Sequence, residues 1–480
     1  MKKHLFPVLF LLLPIILSGT AGCRHTTGGK NTGYAPQDKR TRDWPQIHET
    51  GKLIALTDFN STDYFIYRGE PMGYQYELLK ALAQFLNIDL EIRVDNDLQR
   101  SFRKLESGQV DVLAINLTVT KERKKFLQFT HPIGRTRQVL VQRKPAGWHR
   151  MTRDAINRSL IRNQLDLAGK TVYVQKNTSY AERLRHLSDE IGDTIIIMET
   201  DLEVERLIKM VANGDIDYTV ADENVAKVNS TYYPILDVAT PISFPQNLAW
   251  ALRKENTLEL QRMINNWIDS YRKTLDYAMI YKKYFENPKS KVRVKSDYFV
   301  LGNGRISPYD DMIKRCSDSL GWDWRLLASM IYQESHFDPK ATSWAGAMGL
   351  MQIMPSTVKR YKVKDPFDPR ENIRTGVKFL RWINSIFDDT ILDEQERIKF
   401  ILASYNTGQG HIKDAMRLTR KFGEDHTSWD VVRGYLLKLS QEKYFLDPVV
   451  KYGYCRGDEP VNYVDQILDR YEHYKNIVQE

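Results

Sequence analysis

Between about residues 51 and 288 the apolar residues switch repeatedly between a spacing of two and a spacing of three to four, and beyond about residue 307 the alternating segments become scarce. No other feature constrains the fold as much. Alternating apolar residues give a strand one buried face, and apolar residues at i, i+3 and i+4 give a helix one buried stripe. "KLIALTDF" reads as a strand, and "YQYELLKALAQFLN" sets Leu78, Leu79, Leu82, Phe85 and Leu86 at helical spacing. "DLEIRV" is a second strand, "LQRSFRKLESG" a helix ended by Gly108, and "VDVLAINL" a third strand. This is the β-α-β-α-β order of a parallel sheet. The pattern restarts at "GKTVYVQKNTSYAERLRHL" and continues through "TIIIMET", "DLEVERLIKMVANGD" and "IDYTVAD". Two α/β units in series imply two lobes, with ligand bound in the crevice outside the carboxyl ends of their strands.

The expected organisation is a two-lobed α/β domain over 49–288, a charged linker over 289–307 with a short strand in "DYFVL", and an all-helical domain over 308–480. Ahead of these, "MKKHLFPVLFLLLPIILSGTAGC" has two lysines, then an apolar run broken by Pro7 and Pro14 and too short for a membrane span. It reads as a signal peptide over 1–22. Residues 23–48 are polar and read as a flexible tether. Thr20, Ala21 and Gly22 lead into Cys23 in a pattern that resembles a bacterial lipobox, with Thr20 where leucine is usual. That resemblance implies a lipid on Cys23, and Arg24 in place of an aspartate implies sorting to the outer membrane. Ordinary secretion with cleavage nearby is the alternative.

The net charge is +9, from 70 basic and 61 acidic residues, without a long basic run or zinc-finger spacing, so nucleic acid is not an expected partner. A basic balance suits an anionic wall or lipid surface, and it also serves plain solubility. Besides Cys23 only Cys316 and Cys455 are present, and three cysteines without tight spacing argue against a metal site. Whether Cys316 and Cys455 pair depends on an approach that sequence does not reveal. No cofactor is expected.

In the helical part, Asp323 is placed to cap a helix starting at Trp324. Counting from Leu327, Met330, Ile331 and Glu334 fall on one apolar face. Burial of Glu334 would raise its pKa and suit it to act as a general acid. Asp338, four residues on, precedes Pro339, which disfavours α geometry there, so it is not an assured helical partner. By itself the pattern is more often that of a buried structural glutamate bonded to a neighbour than of a catalytic one.

"ESHFDPKATSWAGAMGLMQIMPST", "ASYNTGQG" and "NYVDQI", taken in order, resemble the soluble-lytic-transglycosylase domain. The resemblance runs from about Tyr309 to the end and implies a lysozyme-like helical fold acting on peptidoglycan glycan strands. It implies that Glu334 protonates the glycosidic oxygen between N-acetylmuramic acid and N-acetylglucosamine. Glu334 then takes the proton of the muramic acid's own O6 hydroxyl, which closes on C1 as a 1,6-anhydro sugar. It assigns Ser343 and Gln352 to the saccharide cleft, Met354 to packing near the acid, and Gly349 to a close approach of backbone to sugar. Tyr405 and Asn406 would face the reacting ring, and Glu459 and Tyr463 would line the cleft floor. Pro460 and Val461 depart from the family's usual Thr-Arg after Glu459. Met348 and Met351 read as core packing.

"GYQYELLKALAQFLN" with "FRKLESGQVDVLAINLTVTKERKKFLQFTHPI" resembles the amino-acid-type periplasmic solute-binding family over about Lys52 to Phe285. The resemblance implies that Arg123, with Thr118, holds a ligand carboxylate, Asp222 its amino group, and Thr178 a further contact. Phe59 and Tyr64 are candidates for stacking on the ligand. As residues alone, Arg123 fits a solvated basic turn and Asp222 a helix cap. Together the two resemblances imply a wall lyase anchored at the outer membrane, with a muropeptide stem or free amino acid in its regulatory N-terminal domain. The alternatives are a solute-binding lipoprotein whose helical domain merely grips glycan, and a lysozyme-like hydrolase with Asp338 as second carboxylate.

Overall fold

The computed structural model describes residues 42–287, 299–300 and 305–478. The signal peptide, Cys23 and the tether up to residue 41 lie outside the described residues, as does most of the linker.

In the first lobe β1 (Lys52–Thr57) pairs in parallel with β4 (Asp89–Val94) and β5 (Val112–Thr118). The crossovers are the expected helices, Tyr74–Leu86 and Leu98–Glu106. Between β1 and β4 a small hairpin is inserted, β2 (Phe65–Tyr67) with β3 (Glu70–Met72). The chain then adds β6 (Leu127–Phe129) and β7 (Gly134–Thr136) and crosses over at Arg137. The second lobe holds β8 (Gln138–Arg143), β9 (Thr171–Gln175), β10 (Ile196–Thr200), β11 (Tyr218–Asp222) and β12 (Leu236–Pro241), in the order β10-β9-β11-β8-β12.

The lobes are not two units in series. After β12 the chain crosses back and adds β13 (Gln246–Arg253) antiparallel to β5, giving the first sheet the order β4-β1-β5-β13-β6. Two chain crossings therefore join the lobes. From Leu248 onward β13 is buried at every position, so its sequence shows no alternation to reveal the pairing.

The α/β domain begins earlier than residue 49. Asp43 caps the helix Trp44–Thr50 in a capping box with Gln46, followed by Pro45 and ended by Gly51 at φ 63°. The Asp43 carboxylate also accepts from the backbone of Leu260, at 2.8 Å, at the start of the Leu258–Tyr271 helix. Arg42 pairs at 2.8 Å with the fully buried Asp111 carboxylate. These contacts move the start of the domain from residue 49 to residue 42.

Beyond residue 305 the described chain is helical, as expected. Its core is continuous with that of the first lobe: Leu53, Leu79 and Trp250 belong to the same apolar cluster as Leu327, Leu402 and Ile467. The β2–β3 turn makes part of the junction, beside contacts of the C-terminal residues His473 and Asn476 with Tyr64 and the Ile92 carbonyl. Tyr474 on the C-terminal helix Asp458–Ile477 donates to the Gly69 carbonyl at 3.0 Å. A Cβ on Gly69 would lie 2.3 Å from the Tyr332 ring. The expected strand in the linker exists as β14 (Phe299–Val300), paired with β2.

Candidate active site and inter-lobe pocket

Asp323 caps the helix Trp324–Ser335 through the backbone of Arg325 at 2.8 Å, and Leu326, Leu327, Met330 and Ile331 face the core. His336 at φ 52° and Phe337 at φ 62° end the helix. Glu334 therefore sits in the last turn, half-buried, at a cleft of about 590 Å³. Burial pushes its carboxyl from 4.5 up to about 7, opposed only by the hydrogen bond donated by the Tyr463 hydroxyl. Tyr405 lies close enough for the Glu334 charge to help raise its phenol's pKa, behind the larger effect of burial, and its hydroxyl donates to the Met351 carbonyl at 2.8 Å. The arrangement is one titratable acid set on a rigid helix and steered by a buried phenol. It can give and take a proton near neutral pH.

Asn406, Glu459 and Tyr463 line this cleft beside Glu334. Five other expected residues do not: Tyr405, which lies close to Glu334, and Ser343, Gly349, Gln352 and Met354. Ser343 and Gln352 serve the loop that carries them. The Ser343 hydroxyl accepts from the Ala347 amide at 3.0 Å, and the Gln352 amide donates to the carbonyls of Ala341 and Gly349 at 3.1 and 2.9 Å. Met354 heads the next helix, is 43% exposed, and is not among the residues that line the cleft. Gly349 is required by packing within the protein. Its φ is +75°, and a Cβ would lie 2.3 Å from the Asn372 amide and 2.5 Å from the Pro366 carbonyl, so the close approach is to protein. Gly349→Ala is expected to destabilise the fold by about 3 kcal/mol through strain and overpacking, readable as a lower Tm.

Asp338 is exposed, caps Lys340 at 2.9 Å and does not line the cleft. Met351 is fully buried, as core packing requires. Cys316 and Cys455 are both buried and unpaired. The sequence reading missed Gln333, Trp344, Arg456, Asp458, Asn462 and Gln466, which complete the cleft lining. A signal existed for two of them, because Glu459, Asn462, Tyr463 and Gln466 share one face of the C-terminal helix. Trp344 is fully exposed at the cleft wall.

The second site is a pocket of about 140 Å³ between the lobes, lined by Phe59, Thr118, Arg123, Thr178, Tyr180 and Asp222 among others. Arg123 is buried, not a solvated turn residue. Its guanidinium donates to the Thr118 carbonyl at 3.0 Å, and burial lowers its pKa to about 10. No carboxylate among the described residues forms an ion pair with it. Asp222 precedes the helix Glu223–Tyr232 without capping it, and one carboxylate oxygen is buried without a hydrogen-bond partner. Burial raises Asp222 to about 7, against the Tyr180 hydroxyl and the Arg123 charge. The Thr178 hydroxyl donates to Gln175 at 2.7 Å. Tyr64 is absent from this pocket. It is fully buried at the domain junction, 2.7 Å from His473 Nδ1, so it does not stack on a ligand there.

Residues 311–428 match the Transglycosylase SLT domain family, and residues 54–287 match the bacterial extracellular solute-binding proteins, family 3. A protein of Desulfosudis oleivorans, named membrane-bound lytic murein transglycosylase F, is 36% identical over 90% of this chain and 91% of its own length. A protein of the same name from Photobacterium profundum is 31% identical over 92% of this chain and 83% of its own. Among solved structures, an ancestral amino-acid-binding protein, a precursor of cyclohexadienyl dehydratase, is 25% identical. It covers 50% of this chain and 98% of that one, with a TM-score of 0.42.

Proposed function

The chain belongs to the membrane-bound lytic murein transglycosylase F family, and we propose that Glu334 alone supplies the acid and base of its reaction. It is a peptidoglycan lytic transglycosylase with a solute-binding-type N-terminal domain. The observation that carries the proposal is Glu334 itself, raised to about 7 by burial, with no neighbouring carboxylate contributing to the shift.

Protonated Glu334 gives its proton to the glycosidic oxygen, and the C1–O bond breaks with its electron pair leaving on that oxygen. The substrate's acetamido group supports the electron-poor C1. The Glu334 carboxylate then takes the proton from the muramic acid's O6 as O6 bonds to C1. The acid is regenerated, water is not consumed, and the ring ends as 1,6-anhydro-N-acetylmuramic acid. The nucleophile is tethered to the reacting centre, so its effective concentration is high without a protein nucleophile. Tyr463 holds the carboxyl in place, Tyr405 and Asn406 border the reacting ring, and Trp344 offers an apolar face to a pyranose. Glu459 contributes to the outer wall.

Because the acid form is needed, kcat/KM is expected to fall about tenfold per pH unit above about pH 7. Tyr463→Phe removes a hydrogen bond that favours the ionised form, so it moves this descending limb to higher pH. A limb that stays in place in the variant would contradict the pairing.

In the N-terminal domain we assign Arg123 and Thr118 to a ligand carboxylate and Asp222 to its ammonium, with Thr178 at the edge. A free amino acid or a stem peptide from the wall is the signal, and lobe closure tunes the helical domain through the β2–β3 turn. Among the described residues no helix is long and apolar enough to cross a membrane. Attachment through a lipid on Cys23 to the outer membrane fits the membrane-bound name of the relatives.

A further inference from the structure

The inter-lobe pocket carries more negative charge than a simple zwitterion needs. Beyond Arg123 and Asp222 it is lined by Asp95, which is paired with Arg100 and Lys104, and by Asp58, Asp63, Glu203 and Glu205; Arg123 is its one cationic side chain among the described residues. None of Asp58, Asp63, Glu203 and Glu205 forms an ion pair with a described residue. Asp63 accepts from Asn60 at 2.9 Å and Asn116 at 2.7 Å, and Glu205 from the Ser61 amide at 3.1 Å and Asn229 at 3.2 Å. Glu203 accepts from Asn96 at 2.6 Å. Asp58 receives Asn60 on one oxygen at 2.8 Å, while its other oxygen is buried without a partner.

Neutral donors satisfy geometry but supply no counter-charge, and a buried carboxylate without one is costly. Burial accordingly lifts Asp58 to about 6 and raises Asp63 and Glu205. Asp222 is a further buried acceptor open to a cation. It is 4% exposed, lines the same pocket, and also has an unpartnered oxygen. Asp58 and Asp63 share the Asn60 amide as donor and Glu205 takes the adjacent Ser61 amide, so these three carboxylates cluster, whereas Arg123 acts on Asp222. Phe59, Leu98 and Val225 supply apolar wall.

We propose that this pocket selects an α-amino acid with a cationic side chain, its carboxylate on Arg123, its ammonium on Asp222 and its side-chain cation on Asp58 with Glu203 and Glu205 behind. The assignment rests on the reading of Arg123 and Asp222 given above and adds the side-chain class to it.

The test is calorimetric titration of the full chain with L-lysine, L-arginine and L-norleucine, which keeps lysine's carbon stem and lacks its terminal ammonium. L-Lysine or L-arginine is expected to bind at least about tenfold more tightly than L-norleucine. Asp58→Asn is expected to shrink that ratio severalfold while leaving norleucine affinity in place. Equal affinity for lysine and norleucine overturns the cation assignment and leaves the amino-acid site standing. Absence of binding by all three overturns both.

Discussion

Glu334→Gln is expected to lower turnover of purified peptidoglycan by about 10³-fold, within the range that a positioned acid–base group supplies. The loss should appear without unfolding, and with a gain in stability. Glu334 is held at about 7 in the folded protein against an ordinary 4.5. A carboxyl with a raised folded pKa contributes its full stability below the unfolded value and loses it as pH rises through the folded one. At about 1.4 kcal/mol per unit, the buried charge costs up to about 3 kcal/mol above pH 7. The variant should therefore melt higher than the parent at pH 8, and the two should converge near pH 4. A variant that loses activity and melts lower at pH 8 would mean that Glu334 holds the fold together.

Arg123→Ala is expected to weaken binding of an α-amino acid by about 100-fold, because truncating one partner of a buried, hydrogen-bonded charge pair costs roughly 2–5 kcal/mol. Calorimetry reads it directly. Basal turnover by the helical domain should change far less, since Arg123 touches only the Thr118 and Thr120 side of the first lobe and the pocket. Unchanged affinity would remove Arg123 from the ligand site.

Much of this was legible in local spacing. The helix from Trp324, its cap at Asp323 and the placement of Glu334 follow from positions three and four apart, and the structure reproduces them. The α/β character of 49–288 was equally plain, but the return of β13 to the first sheet was not. A strand buried on both faces looks the same whichever sheet it joins. Gly349 shows a second limit. A glycine at positive φ announces a turn, but not that Asn372 and Pro366 occupy the space of its missing side chain. Tyr64 shows a third, since an aromatic beside a ligand loop reads alike whether it meets ligand or a histidine 409 residues away. The domain junction is made of such long-range contacts. Arg470 binds Gln333 at 3.1 Å and Glu70 at 3.3 Å and lies 4.5 Å over the Tyr332 ring, tying the first lobe to the residue beside Glu334.

The central claim is that one glutamate and the substrate's own hydroxyl complete the reaction. Asp458 and Glu459 also line the cleft, so a water-activating carboxylate is chemically conceivable there. The direct measurement is mass analysis of the glycan ends released from purified peptidoglycan by the full chain. The account predicts 1,6-anhydro-N-acetylmuramic acid ends. Reducing ends, one water heavier, would contradict it.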